Sequence, residues 1–189
     1  MQTESWTKFR NSEWTQLDKY SNQDMFGKPC PRPSAEDTVV LPWVWTYLYK
    51  VDPVSLEDVE KSRGTCNGGS KHSKIVTLAE TYAACVEQPA HRLTWAIIAG
   101  LNYVGLGCDV SNAFVEAPPP KKPYFMVIDQ QFRNWWENKL HLPSIPYGHD
   151  LPVLKNLQGH PEAPRLWHLH ILAILLNTCL LYTSPSPRD

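Results

Sequence analysis

The chain has 189 residues, room for one domain or two small ones, and its 42% hydrophobic and 11% aromatic content excludes a disordered polymer. With 18 basic against 19 acidic residues the formal net charge is -1, so the chain as a whole lacks the basic footprint of a free nucleic-acid-binding module. Any such contact has to come from a local patch or from parts of the protein missing from this chain. Cys30, Cys66, Cys85, Cys108 and Cys179 form no CxxC pair and have no histidines at zinc-finger spacing, which reads as reduced thiols of an intracellular protein.

In chain order, "SEWTQLDKY" brings Trp14, Leu17 and Tyr20 to one side at helical spacing and predicts a leading helix that stops before the Pro-rich "FGKPCPRP". "LPWVWTYLYKVD" alternates Trp43, Trp45, Tyr47 and Tyr49 with other bulky residues and predicts a strand. After the turn "CNGGSK", "KIVTLAETYAACV" is expected to resume extended or short-helical structure. The period then changes. In "QPAHRLTWAIIAGLNYV", Leu93, Ile97, Leu101 and Val104 fall on one stripe behind Pro89, which predicts a buried helix feeding a strand that ends at Asp109. "PYFMVID" follows as a strand, "QQFRNWWENKL" as an amphipathic helix, "LPVLKNL" as a strand and "PEAPRLWHLHILAIL" as a helix. Clustered prolines, 17 in all, join these short elements by stiff turns. The order predicts an α+β fold, a mixed or antiparallel sheet with helices packed on one face. "ILAILLNTCLLY" is too short, and too polar in its middle, to span a bilayer, and "MQTESWTKFR" lacks a signal-peptide core, so the expectation is the cytosol or nucleus and no membrane partner.

Chemistry concentrates in "GCDVSNAFVEAPPP". A buried carboxylate costs several kcal/mol unless it is paired or holds a metal, so an apolar run ending on Asp109 asks for a partner, although a helix cap or a solvated acid fits the same pattern. In "EKSRGTCNG", Lys61 and Arg63 stand two apart, which on a strand points both to one face; that face either clamps a polyanion or is simply solvated. "LQGHPEAPRLW" places Gln158 and Gly159 in a turn before a helix that starts near Pro161, with Arg165 and Trp167 one turn in. His160, His168 and His170 lack a further ligand at useful spacing and read as exposed or packed imidazoles.

These motifs, "DVSNAF", "LQGHPEAPRLW", "KSR" and "ETYAACVEQPAHRL", stand in the order and approximate spacing of the reverse transcriptases of copia-type retrotransposons, and from about Glu13 to about Ile174 the chain resembles that family. The resemblance implies the fingers and partial palm of a right-hand polymerase, with about 1–88 fingers-like and about 89–178 palm-like. It implies an RNA-directed DNA polymerase in which Asp109 and the main-chain carbonyl of Val110 bind magnesium, two ions serving nucleotidyl transfer in the complete enzyme. Lys61 and Arg63 would neutralise the triphosphate, Phe114 would exclude a ribose 2'-hydroxyl, and Gln158 with Gly159 would position base and template. Phe114 also fits an ordinary core position. The implied partners are an RNA or DNA template with its primer, deoxynucleoside triphosphates, and the C-terminal palm, thumb and ribonuclease H regions of the same polyprotein, in a cytoplasmic particle or the nucleus.

The family completes its metal site with a Y-x-D-D hairpin, whereas this sequence contains no adjacent Asp pair. On that ground the chain is expected not to polymerise DNA by itself. "CLLYTSPSPRD", Cys179 to Asp189, resembles the in-frame translation of a transposase sequencing adapter and is expected to be an artefactual tail on a reading frame cut near Thr178. The rival expectation is a degenerate or host-recruited remnant that binds nucleic acid or a partner without catalysis. A small metal-dependent hydrolase would need an HxxxH or paired-carboxylate motif, and neither occurs.

Overall fold

A computed structural model of the chain describes residues 4–34, 38–69, 81–83, 85–107 and 109–178. The leading helix forms as α1 (Glu4–Asn22), and its expected apolar side is inward: Leu17 and Tyr20 are buried and Trp14 packs against the core. Beyond it, β1 (Cys30–Pro31) and β2 (Val39–Leu41) are short, and β3 (Trp43–Val51) and β4 (Asp58–Cys66) form a long antiparallel hairpin. The aromatic alternation of "WVWTY" sets the inner face of that hairpin. Trp43 and Trp45 stack with centroids 5.6 Å apart, and Tyr47 meets Phe9 of α1 edge-on at 5.5 Å.

α2 (Gln88–Gly100) and α3 (Ala113–Glu116) precede β5 (Tyr124–Val127). α4 (Gln130–Asn134) then runs directly into a π-helical turn, Trp135–Lys139, followed by β6 (His149–Val153) and α5 (Ala163–Asn177). The second sheet has the order β1-β6-β5-β2, with β2 parallel to β5 and the other pairs antiparallel. The protein is therefore α+β with a mixed sheet, as expected, and carries a separate two-stranded sheet in addition. The four-stranded sheet draws strands from both sides of residue 88. Its core is Leu41, Tyr124, Met126 and Leu151, closed by Leu17, Met25, Phe132 and Leu157.

Asp129 joins the two sheets. Its carboxylate accepts the Phe132 N–H at 2.8 Å, capping α4, and the Trp45 indole N–H at 2.7 Å. Trp135 in turn donates to Asp18 of α1 at 2.8 Å, so α1, the hairpin and the sheet are tied by polar as well as apolar contacts.

Three expectations need correction. The helix over "QPAHRLTWAIIAG" forms but is not buried: it has no buried residue, and Leu93, Ile97, Leu101 and Val104 are all exposed. Its spacing encodes an amphipathic stripe, which by itself says nothing about what covers it. The strand leading to Asp109 does not form. Residues 103–107 are irregular and exposed, because a strand needs a neighbour to take its backbone hydrogen bonds and the described residues offer none there. The strand expected over "LPVLKNL" is shifted: β6 ends at Val153, and Asn156 and Leu157 are buried in the irregular segment that follows. Most of "KIVTLAETYAACV" and the tail 179–189 lie outside the described residues. Among the described residues no helix is long and apolar enough to cross a membrane.

Candidate functional site

Antiparallel pairing of β3 and β4 sets Arg63 opposite Thr46, Lys61 opposite Leu48 and Val59 opposite Lys50. Lys61 and Arg63 thus share one face, as their spacing predicted, and Lys50 joins them as the diagonal neighbour of Lys61. The intervening residues turn the other way: Ser62 is buried, with its hydroxyl donating to the Phe9 carbonyl at 3.0 Å.

Across from this face lies the segment 109–114. Asn112 takes a left-handed conformation (φ 54°) at the start of α3, and its side-chain amide donates to Gln23 Oε1 at 3.0 Å, docking the segment on the end of α1. Between the two surfaces is a cleft of about 580 Å³, lined by Lys61, Arg63, Asp109, Val110, Phe114 and Gln158 together with Gln16, Lys19, Tyr20 and Lys50. Six of the seven residues singled out from the sequence therefore meet at one cavity, although they come from three separate stretches of chain.

The seventh, Gly159, supports the cleft from behind. Its φ is +93°, and a Cβ placed there would lie 2.0 Å from the Cys66 carbonyl oxygen. The Gln158 carbonyl accepts the Cys66 N–H at 2.9 Å. Glycine lets the turn press against the end of β4 and so holds Gln158 in the cleft wall. The Cys66 thiol sits in this packed junction, where burial pushes its pKa up to about 12, so it is an inert thiol at neutral pH.

Electrostatically the lining is unbalanced. Four cations, Lys19, Lys50, Lys61 and Arg63, face one carboxylate, Asp109. Burial, and then Lys50, Arg63 and Lys19, hold the Lys61 ammonium below the usual lysine range. Like charges brought this close raise the energy of the empty cleft, and a bound polyanion relieves it.

Asp109 and the Val110 carbonyl are too few oxygen donors for a pair of hard divalent ions, and among the described residues no group of three or more His, Cys, Asp or Glu is placed to hold a metal. The donor set fits anion holding and does not fit a two-ion centre. His160, which the sequence left as an exposed or packed imidazole, is packed: its ring lies 4.4 Å from that of Tyr124, and burial lowers its pKa to about 4.

Sequence reasoning missed Lys19 and Lys50. Lys50 carries a signal visible only once the hairpin register is known. For Lys19, the helical spacing of Gln16, Lys19 and Tyr20 groups three lining residues on one side of α1. Comparison with protein-family models, with curated proteins and with solved structures finds no match to this chain.

Proposed function

We propose that the chain is a nucleotide-holding piece of a copia-type RNA-directed DNA polymerase, comprising its fingers and the front of its palm. One observation carries this: six of the seven residues that the motif resemblance assigns to the nucleotide site line a single cleft, with cations on one side and the Asp109 segment with Phe114 on the other. In this reading Lys61 and Arg63 hold the triphosphate as opposed charges, Phe114 lies beside the sugar, and Gln158 contacts the base or its template partner. In a complete polymerase of that family Asp109 would be one magnesium ligand, together with acids that this sequence does not contain. The chain alone therefore binds nucleotide and does not transfer it.

The testing experiment is equilibrium binding of dTTP and UTP to the full chain in the presence of a primed template. Deoxynucleotide is expected to bind roughly tenfold more tightly, and Phe114→Ala is expected to bring the two nucleotides together. Equal binding of dTTP and UTP to the unaltered chain would refute the assignment.

A second reading, a remnant that binds nucleic acid without ever belonging to an active site, is favoured by the solitary carboxylate. It separates from the first on the same titration, where nucleic acid bound without preference between dTTP and UTP supports the remnant.

A further inference from the structure

Besides the hairpin, the Asp109 segment and Gln158, the cleft is walled by α1, through Gln16, Lys19 and Tyr20. This helix is braced on both sides. The Ser62 N–H of β4 donates to Ser12 Oγ at 2.8 Å and the Tyr20 hydroxyl donates to the Gly64 carbonyl at 2.9 Å, while Gln23 accepts from Asn112 across the cleft. Gln16, Lys19, Lys50 and Lys61 also line an adjoining groove of about 280 Å³ between α1 and the hairpin, so they stand where the two openings meet.

We propose that Lys19 is a phosphate-holding cation of the cleft, which makes α1 a working part of a site for a linear polyphosphate. The inference rests on the nucleotide reading and deepens it, since neither the motif resemblance nor the strand pattern assigns any ligand contact to this helix.

Unspent charge is the main support. Ion pairs among the described residues include Lys8–Glu60, Arg10–Glu13, Arg32–Asp150 and Lys139–Asp18, and none of these engages Lys19, Lys50, Lys61 or Arg63. A second support is reach, because Lys19 contributes to the field that disfavours the Lys61 charge. Four cations, drawn from α1, β3 and β4 into one cleft, exceed what a single phosphate neutralises and suit the charge of a tri- or tetraphosphate. A lysine in the last turn of a helix also complements the carbonyl end of the helix dipole, but that role leaves the other three cations unexplained and predicts no effect on binding.

The test is calorimetric titration of the full chain with inorganic tripolyphosphate at low ionic strength, with a chelator present so that no divalent ion takes part. Lys19→Gln is expected to weaken binding roughly three- to tenfold, comparably to Lys61→Gln, and Lys19→Arg to restore it. Lys8→Gln, altering an exposed lysine of the same helix outside the cleft, is expected to change nothing.

Wild-type affinity in Lys19→Gln alongside a weakened Lys61→Gln overturns the role of Lys19 and leaves the nucleotide reading standing. No binding by the unaltered chain, or no effect of any cleft cation, overturns both. Failure of Lys19→Arg to restore binding also counts against a charge contact, with circular dichroism melts showing whether α1 is intact in each variant.

Discussion

Replacing Gly159 by alanine is predicted to cost about 2–5 kcal/mol of folding stability, the sum of a conformational penalty and a broken backbone contact. The first part comes from φ of +93°, where an L-residue pays about 1–2 kcal/mol. The second comes from the added methyl, which would lie 2.0 Å from Cys66 O, 3.0 Å from Cys66 C and 3.2 Å from Cys66 N. Ordinary contact requires the turn and the end of β4 to part by about 1 Å or more. The Cys66 N–H to Gln158 carbonyl bond, 2.9 Å long, cannot survive that movement. Losing it beside buried groups adds about 1–3 kcal/mol.

Gly148 supplies the control. Its φ is +78° but nothing lies within 4 Å of its Cβ position, so Gly148→Ala carries only the conformational part, about 1 kcal/mol. The assay is urea unfolding followed by tryptophan fluorescence, with eight tryptophans as reporters. With an m-value of about 1–3 kcal/mol/M, the Gly159→Ala midpoint should fall by about 0.7 M or more and clearly further than that of Gly148→Ala. Equal midpoints for the two variants would refute the claim that Gly159 is required by the close approach of β4. Because Gln158 is the neighbouring residue and lines the cleft, the same variant should also weaken nucleotide binding.

Two further predictions concern buried polar groups. The His160 pKa is lowered from 6.5 to about 4 by burial, and its Nδ1 accepts the Glu162 N–H at 3.3 Å, so the folded state holds the ring neutral. The unfolded chain takes up the proton first as the pH falls, so the stability due to this group is complete above about 6.5 and is lost toward pH 4, by about 3 kcal/mol. Burial raises the pKa of Glu13 and of Asp129, which act in the opposite sense, so the informative quantity is the difference between the unaltered chain and His160→Gln; identical acid limbs in urea midpoint against pH would exclude the assignment. Arg32 holds Asp150 through two bonds of 2.7 and 3.0 Å, with the acid buried beneath it where β1 meets β6. Arg32→Ala leaves that carboxylate without a cation and should cost about 1–3 kcal/mol, with Asp150→Asn in the same chain recovering part of the loss; strict additivity of the two changes would show that the pair is not coupled.

What could be read from the sequence divides along the reach of each signal. α1, β3, β5 and α5 were legible because their periodicities are local: Leu17 and Tyr20 sit three residues apart, and Trp43, Trp45 and Tyr47 alternate, whatever the rest of the chain does. The pairing of Lys61 with Arg63 was legible for the same reason, since a period of two puts both on one face of any strand. The strand expected before Asp109 failed because hydrophobicity marks a segment that can be extended, while being a strand depends on a partner elsewhere. The stripe of Leu93, Ile97, Leu101 and Val104 likewise marked a helix correctly and its burial wrongly.

The cleft shows the same division. Lys50 enters only through the register that sets Val59 against it, and Lys19 only through the packing of α1 on β4, so half of the cationic lining is invisible to any scan along one segment. A chain with a net charge of -1 can attract a polyanion only by concentrating its basic residues, and the structure draws Lys19, Lys50, Lys61 and Arg63 from three elements into one cleft while its other described lysine and arginine ion pairs form elsewhere. Binding at this cleft should accordingly fall steeply with added salt, and tripolyphosphate affinity that is flat in salt would mean that the gathered charges do not face the ligand.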